Sequence, residues 1–201
     1  KPVVLVGTGI ETDRLFTSVM TDHGKLGKSL ADAVIQGKAV KVGILSGNQS
    51  QLGMRQRLKS VKDKLEEAGI EISWILSEKE LDKKMRNVEY FAEHPVDTVI
   101  SLDNDDTEKA VDIILNDDRI SWKLYGEGRS EKLIYYLDKG TIQELAIPNE
   151  YYMGYQSIVL AAQNIRYYTD KTEQAEVEFY MVSKDNLYDE ETSRILFPAV
   201  R

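Results

Sequence analysis

Apolar runs along this chain repeatedly end in a polar, turn-forming cluster and then pass into an amphipathic stretch. The run at 42–45 leads into Ser46-Gly47-Asn48-Gln49-Ser50, and 99–102 into Asp103-Asn104-Asp105-Asp106-Thr107. The run at 123–125 leads into Gly126-Glu127-Gly128-Arg129-Ser130, and 142–147 into Pro148-Asn149-Glu150. Short apolar runs bounded by turn residues read as strands, and apolar positions recurring every three to four residues read as helices. Strand, loop and helix in repetition predict an α/β fold, a parallel β-sheet flanked by helices. Such sheets bind ligands beyond the carboxyl ends of their strands, the end at which all four polar clusters gather.

The same patterning gives an element order. Strand 2–6 is followed by a loop through Gly7-Thr8-Gly9 and an unassigned piece over 10–20. Helix 24–36 carries Leu26, Leu30, Ala33 and Val34 at helical spacing and stops at Gly37. Strand 40–45, helix 51–68 with Leu58, Val61 and Leu65 on one face, strand 70–76 and helix 78–92 come next. Strand 97–102, helix 106–116, strand 121–125, helix 129–138 and strand 142–147 continue the rhythm. A long helix 150–167 leads to strand 174–182 and a tail ending in Leu196-Phe197-Pro198. The chain opens directly on a strand, as a fragment of a larger protein would.

Composition narrows the function classes. With 201 residues, 42% hydrophobic and 30% charged, the chain can bury a core in one domain or two small ones. A net charge of -8 without a basic stripe argues against direct nucleic-acid contact. Absence of cysteine removes disulfides, thiolate nucleophiles and zinc-thiolate sites. No run approaches the roughly 18 apolar residues of a membrane span, and the start, Lys1-Pro2-Val3-Val4-Leu5-Val6, reads as a strand and not as a signal peptide.

Local motifs alone assign little chemistry. Gly7-Thr8-Gly9 after a strand lacks the third glycine of a dinucleotide fingerprint, and no Walker lysine follows. The acids at 103–106 lack calcium-loop spacing, and Asp105 and Asp106 read as capping groups for the helix that follows. Arg57, among Arg55, Lys59, Lys62 and Lys64, reads by itself as part of a solvated helix face. His23 and His94 are single and far apart, which gives each a surface role by default. Tyr151, Tyr152 and Tyr155 read as core or packing residues.

In combination the motifs are more specific. Asp22-His23-Gly24-Lys25-Leu26-Gly27, Gly47 with Arg57 and Val61, Asp103-Asn104-Asp105-Asp106-Thr107, Tyr125-Gly126-Glu127-Gly128 and Asn149-Glu150-Tyr151-Tyr152-Met153-Gly154-Tyr155 occur in this order. That series resembles the type I periplasmic sugar-binding proteins and the ligand-binding cores of LacI-type repressors. The resemblance implies two similar lobes, of which most of the first is unmatched here. The second lobe would comprise 18–148 plus 179–201, and 1–17 plus 149–178 would be a remnant of the first.

The resemblance also implies a function and a site. It places Arg57, Asn104, Glu127, Thr17 and Thr8 at ligand-contacting positions, with Arg57 as a multiple hydrogen-bond donor to hydroxyls and Thr17 at a hinge. Three positions depart from the family pattern: Gly7-Thr8 replaces an Asp-Arg pair, Glu78 falls near a usual ring-stacking aromatic, and Pro148 replaces a Gln. Trp74, Trp122, Tyr151 and Tyr152 are the alternative sources of an aromatic platform. The implied activity is non-catalytic binding of a small polar ligand, a sugar or sugar-like compound, by hinge closure, with no cofactor and no metal. The setting would be extracytoplasmic, with a membrane permease or receptor as partner and with or without a lipid anchor. The alternative is the effector-binding core of a cytoplasmic LacI-type regulator.

Overall fold

The computed structural model describes residues 3–7, 9, 17–85, 89–167 and 174–197. Two sheets organise it. Strands β1 (Val4–Val6), β2 (Thr17–Met20) and β8 (Ala175–Glu176) form a small parallel sheet in the order β1-β2-β8. The larger sheet is built from β3 (Lys41–Leu45), β4 (Glu71–Leu76), β5 (Thr98–Ser101), β6 (Lys123–Glu127), β7 (Ile142–Pro148) and β9 (Phe179–Ser183). Its order is β4-β3-β5-β6-β7-β9, parallel throughout except for β9, which runs antiparallel to β7. The mostly parallel α/β architecture expected from the patterning is therefore what the chain adopts.

Helices α1 (His23–Gln36), α2 (Leu52–Glu67), α3 (Glu78–Met85), α4 (Glu89–Glu93), α5 (Asn104–Asn116) and α6 (Glu131–Lys139) connect or cover these strands, followed by α7 (Glu150–Tyr167) and α8 (Glu190–Leu196). Successive strand residues point to opposite faces, so each central strand feeds two cores. Val42, Ile44, Ile100 and Tyr125 pack with Leu26, Leu30, Val34, Val61 and Leu65 of α1 and α2. Val99, Leu124 and Leu145 pack on the other face with Leu81, Phe91, Val111, Leu133 and Leu137. Trp74 and Trp122 belong to this second core, with ring centroids 6.0 Å apart. Neither is an aromatic platform for a ligand.

The boundaries differ from the sequence reading in physical detail. The unassigned stretch before α1 contains β2, whose Thr-Ser-Val-Met run is too short to announce itself but is fully buried. Residues 18–20, expected in the larger lobe, pair with β1 and β8 in the small sheet. The expected strand 174–182 is two strands, because Val177 and Glu178 carry the chain from one sheet to the other. Helix α5 starts at Asn104, two residues early, since Asp103 is its N-cap and accepts from the Asp106 backbone N–H at 2.8 Å.

Helices α1 and α2 approach closely at one glycine. A Cβ on Gly27 would lie 2.6 Å from the Arg57 carbonyl oxygen and 3.1 Å from its Cα, both backbone atoms that cannot swing aside. Gly27→Ala is expected to force the helices apart and to cost about 1–3 kcal/mol in a urea titration, although alanine is the better helix former.

Candidate ligand-binding site

The first turns of α1 and α2 bring together the side chains that matter. The buried stripe of α2 is Gly53, Arg57, Val61 and Leu65, one residue every four, so Arg57 occupies an inward position. His23 likewise begins the buried stripe of α1, which continues through Leu26, Gly27, Leu30 and Val34. Packing these stripes together sets Arg57 Nε 3.1 Å from His23 Nδ1, to which it donates. Arg57 Nη1 donates to the Leu102 carbonyl beyond the end of β5 and lies 3.2 Å from Glu127 Oε2 at the end of β6. Arginine is thereby tied to three elements at the carboxyl edge of the larger sheet.

A cleft of about 280 Å³ opens above this group. Arg57, Glu127, Pro148, Glu150 and Met153 line it from the larger sheet and α7, and Val6, Gly7, Thr21 and His23 from the small sheet and the crossover that leaves it. It therefore lies between the two sheets, at the strand ends where open parallel sheets take ligands. Among the described residues, His23 supplies the only aromatic ring in the lining.

Burial sets the charge states. The His23 ring is pushed down to about 4, first by burial and then by the Arg57 guanidinium, with the Gly7 backbone and Asp22 opposing. It is therefore a neutral acceptor for Arg57 at pH 7. Burial raises the Glu127 carboxyl above the usual carboxylate range, and Arg57 opposes that rise. Arg57 and Glu127 form a buried ion pair, with side chains 5% and 12% exposed. Such a pair places a planar donor fork beside a strong acceptor, a combination suited to vicinal hydroxyls.

The residues singled out from sequence divide clearly. Arg57 and Glu127 come together in the cleft wall. Arg57 is not on a solvated face, because its position falls in the helix's buried stripe. Asn104 does not line the cleft: its Oδ1 accepts the backbone N–H groups of Arg129 at 3.2 Å and Ser130 at 3.3 Å, which fixes the turn leading into α6. Thr17 is buried in β2, paired with Val4 of β1, and lines no described cavity. Thr8 lies outside the described residues. Tyr151 is exposed, and Tyr152 faces a groove with Asn149, Glu178 and Tyr180 instead of the cleft.

His23 is the cleft-lining residue that sequence reasoning missed. Its default surface role is overturned by burial to 5% exposure. Two signals pointed to it: its register with the α1 stripe, and Gly53 four residues before Arg57. A Cβ on Gly53 would fall 2.5 Å from His23 Nε2, so the ring needs a glycine at that position. His94, by contrast, is exposed and stacks on Tyr90.

Asp106 also departs from its expected capping role. It is fully buried, and Lys109 donates to its Oδ1 at 3.3 Å. Burial, then the neighbouring Asp103 carboxylate, pushes it up to about 6 from an ordinary 3.8. A raised folded value means that ionising Asp106 costs stability: its contribution is full below pH 3.8 and is lost as pH rises through about 6. Asp106→Asn is expected to stabilise the protein at pH 7 by on the order of 2 kcal/mol, with the gain vanishing near pH 4, in urea titrations at both pH values.

Comparison with known proteins places this arrangement. A family model described as periplasmic binding protein domain matches residues 1–168. The carbohydrate transporter solute-binding protein from Agrobacterium radiobacter, solved with D-arabinose, superposes with a TM-score of 0.84 at 17% identity, covering 97% of this chain and 70% of that one. GanP, a glucose-galactose binding protein from Geobacillus stearothermophilus, superposes with a TM-score of 0.81 at 22% identity, covering 93% and 69%. A LacI-type transcriptional regulator from Bacteroides fragilis does so with a TM-score of 0.80 at 14% identity, covering 92% and 68%. At these identities the likeness is one of fold. No curated protein sequence matches the chain. A match over residues 1–168, together with a cleft between two parallel sheets, shows that the chain belongs to the periplasmic binding protein domain family.

Proposed function

We propose that the protein binds a small, uncharged, hydroxyl-rich ligand, a sugar or a close analogue, without transforming it. The observation that carries this reading is the buried Arg57–Glu127 pair in the cleft wall, steadied by neutral His23. Arg57 would donate to ring hydroxyls and Glu127 would accept from them. Solved relatives of the same fold were crystallised with D-arabinose and D-fucose, which agrees with it.

In this reading the two sheets act as lobes. The chain passes between them at residues 21–22, at Pro148 and Asn149, and at Val177 and Glu178. These crossings are tied together, Val177 N–H donating to Met20 O at 3.0 Å and Asn149 N–H to Glu178 O at 3.2 Å. Ligand would favour the closed arrangement only by its tighter binding to that form, and a membrane permease or receptor would recognise the closed state. An extracytoplasmic place in an ABC-type uptake or sensing system follows from the same proposal. The LacI-type neighbour favours a second reading, the effector-binding core of a regulator. A regulator core would self-associate as a dimer with effector bound, whereas a solute-binding protein would sediment as a monomer.

A thermal-shift panel of D-arabinose, D-glucose, D-galactose and D-fucose tests the binding itself. A sugar present at 100 times its Kd should add about 2.7 kcal/mol of stability. A flat response to all four at 10 mM would overturn the sugar assignment.

A further inference from the structure

Beside the cleft lies a second cavity of about 290 Å³, on the other side of Thr21 and His23. Those two residues line both spaces, so the cavities share one wall. Each space alone sits at the lower limit of ligand pockets, so a ligand of more than one ring would need both.

The shared wall carries unmet hydrogen-bonding capacity. Thr21 Oγ1 is buried and makes no hydrogen bond to the described residues, and His23 Nε2, although the Gly7 backbone acts on the ring, has no partner of full hydrogen-bond geometry among them. Because His23 Nδ1 accepts from Arg57, the neutral ring carries its proton on Nε2, which is therefore a donor. Buried polar atoms without partners are few in folded proteins, and two at one junction call for an explanation.

The chemistry of the second cavity is hydroxyl-like. Ser18, Asp22, Gln56, Gln174 and Glu176 line it, and no aromatic ring apart from His23 does so among the described residues. That lining of carboxylates, amides and a hydroxyl offers hydrogen-bond partners for the hydroxyls of a second sugar ring. Lys25 bridges the two acids, at 2.6 Å from Glu176 and 3.7 Å from Asp22, without itself lining the space. Among the described residues the lining thus presents acceptors and amides and no cation to hold an anionic sugar.

We propose that the second cavity is a subsite for the second ring of an uncharged disaccharide whose first ring occupies the cleft. The inference rests on the sugar-binding reading above. The bridging oxygen and adjoining hydroxyls would pass the Thr21–His23 wall and give both orphaned groups partners.

Calorimetric titration tests it with D-galactose against lactose and melibiose, and D-glucose against maltose and cellobiose, for the wild type and for Gln56→Trp. Gln56 is exposed on α2, so the larger side chain fills the cavity without disturbing the core. At least one disaccharide should bind roughly tenfold tighter than its terminal monosaccharide, and Gln56→Trp should reduce that ratio to about two. Monosaccharide binding with every disaccharide weaker would overturn the subsite and leave the sugar reading standing. A preference unchanged by Gln56→Trp would overturn it too, since the second ring would lie elsewhere. Failure of both sugar classes to bind would overturn the subsite together with the reading beneath it.

Discussion

Arg57→Ala is expected to abolish sugar-induced stabilisation and to lower the stability of the ligand-free protein by about 3–5 kcal/mol. Both losses come from one side chain. Removing the guanidinium leaves Glu127 buried opposite an empty space, and it strips His23 Nδ1 and the Leu102 carbonyl of their donor. A charge left unpaired in the interior costs more than the pair contributed. The double variant Arg57→Met with Glu127→Leu separates the two effects. Apolar side chains of similar length should restore most of the stability, because neither charge then needs solvation, while sugar binding stays lost. Urea titrations and thermal shifts on the three proteins measure both quantities. Recovery of binding in the double variant would remove the pair from the site.

His23 should make the protein sensitive to mild acid. Its folded value, about 4, lies below the ordinary 6.5, so the neutral ring is favoured by folding. The stability it contributes is complete above pH 6.5 and is lost as pH falls through about 4, a change of about 3 kcal/mol. Asp106 works in the opposite direction across an overlapping window, gaining stability as it is protonated, so the wild type alone shows a shallow profile. Comparison with His23→Gln cancels the Asp106 contribution. The stability of the wild type relative to this variant should fall by about 3 kcal/mol between pH 7 and pH 4. Sugar affinity should hold through most of that range and decline only as pH falls through about 4, where the folded ring itself takes up a proton and no longer accepts the Arg57 Nε–H. A constant difference across that range would show that His23 does not titrate as its burial requires.

Most of the larger sheet was legible because its central strands are buried on both faces and read as continuous apolar runs. The runs at 42–45 and 99–102 are examples, each closed by turn chemistry. The small sheet was harder. Thr17–Met20 is short, its burial depends on partners remote in sequence, and β8 contributes only two residues. Arg57 and Glu127 were identified by resemblance, and the helical register that turns Arg57 inward was also present in the Gly53, Arg57, Val61, Leu65 series. Asn104 shows where pattern matching stops. A polar residue at a strand terminus can face the ligand or hold a turn, and only the position of the Arg129 and Ser130 N–H groups decides between them. His23 was obscured by the rarity of histidine in the chain, which made it look incidental, although its place one residue after the α1 cap put it at the crossover between sheets.

The most direct test is a crystal structure of the protein grown with the tightest-binding sugar. The sugar ring should lie between the two sheets, with Arg57 nitrogen and Glu127 oxygen atoms within about 3.2 Å of its hydroxyls and His23 still accepting from Arg57 Nε. A sugar bound elsewhere, with the Arg57–Glu127 pair untouched, would contradict that placement.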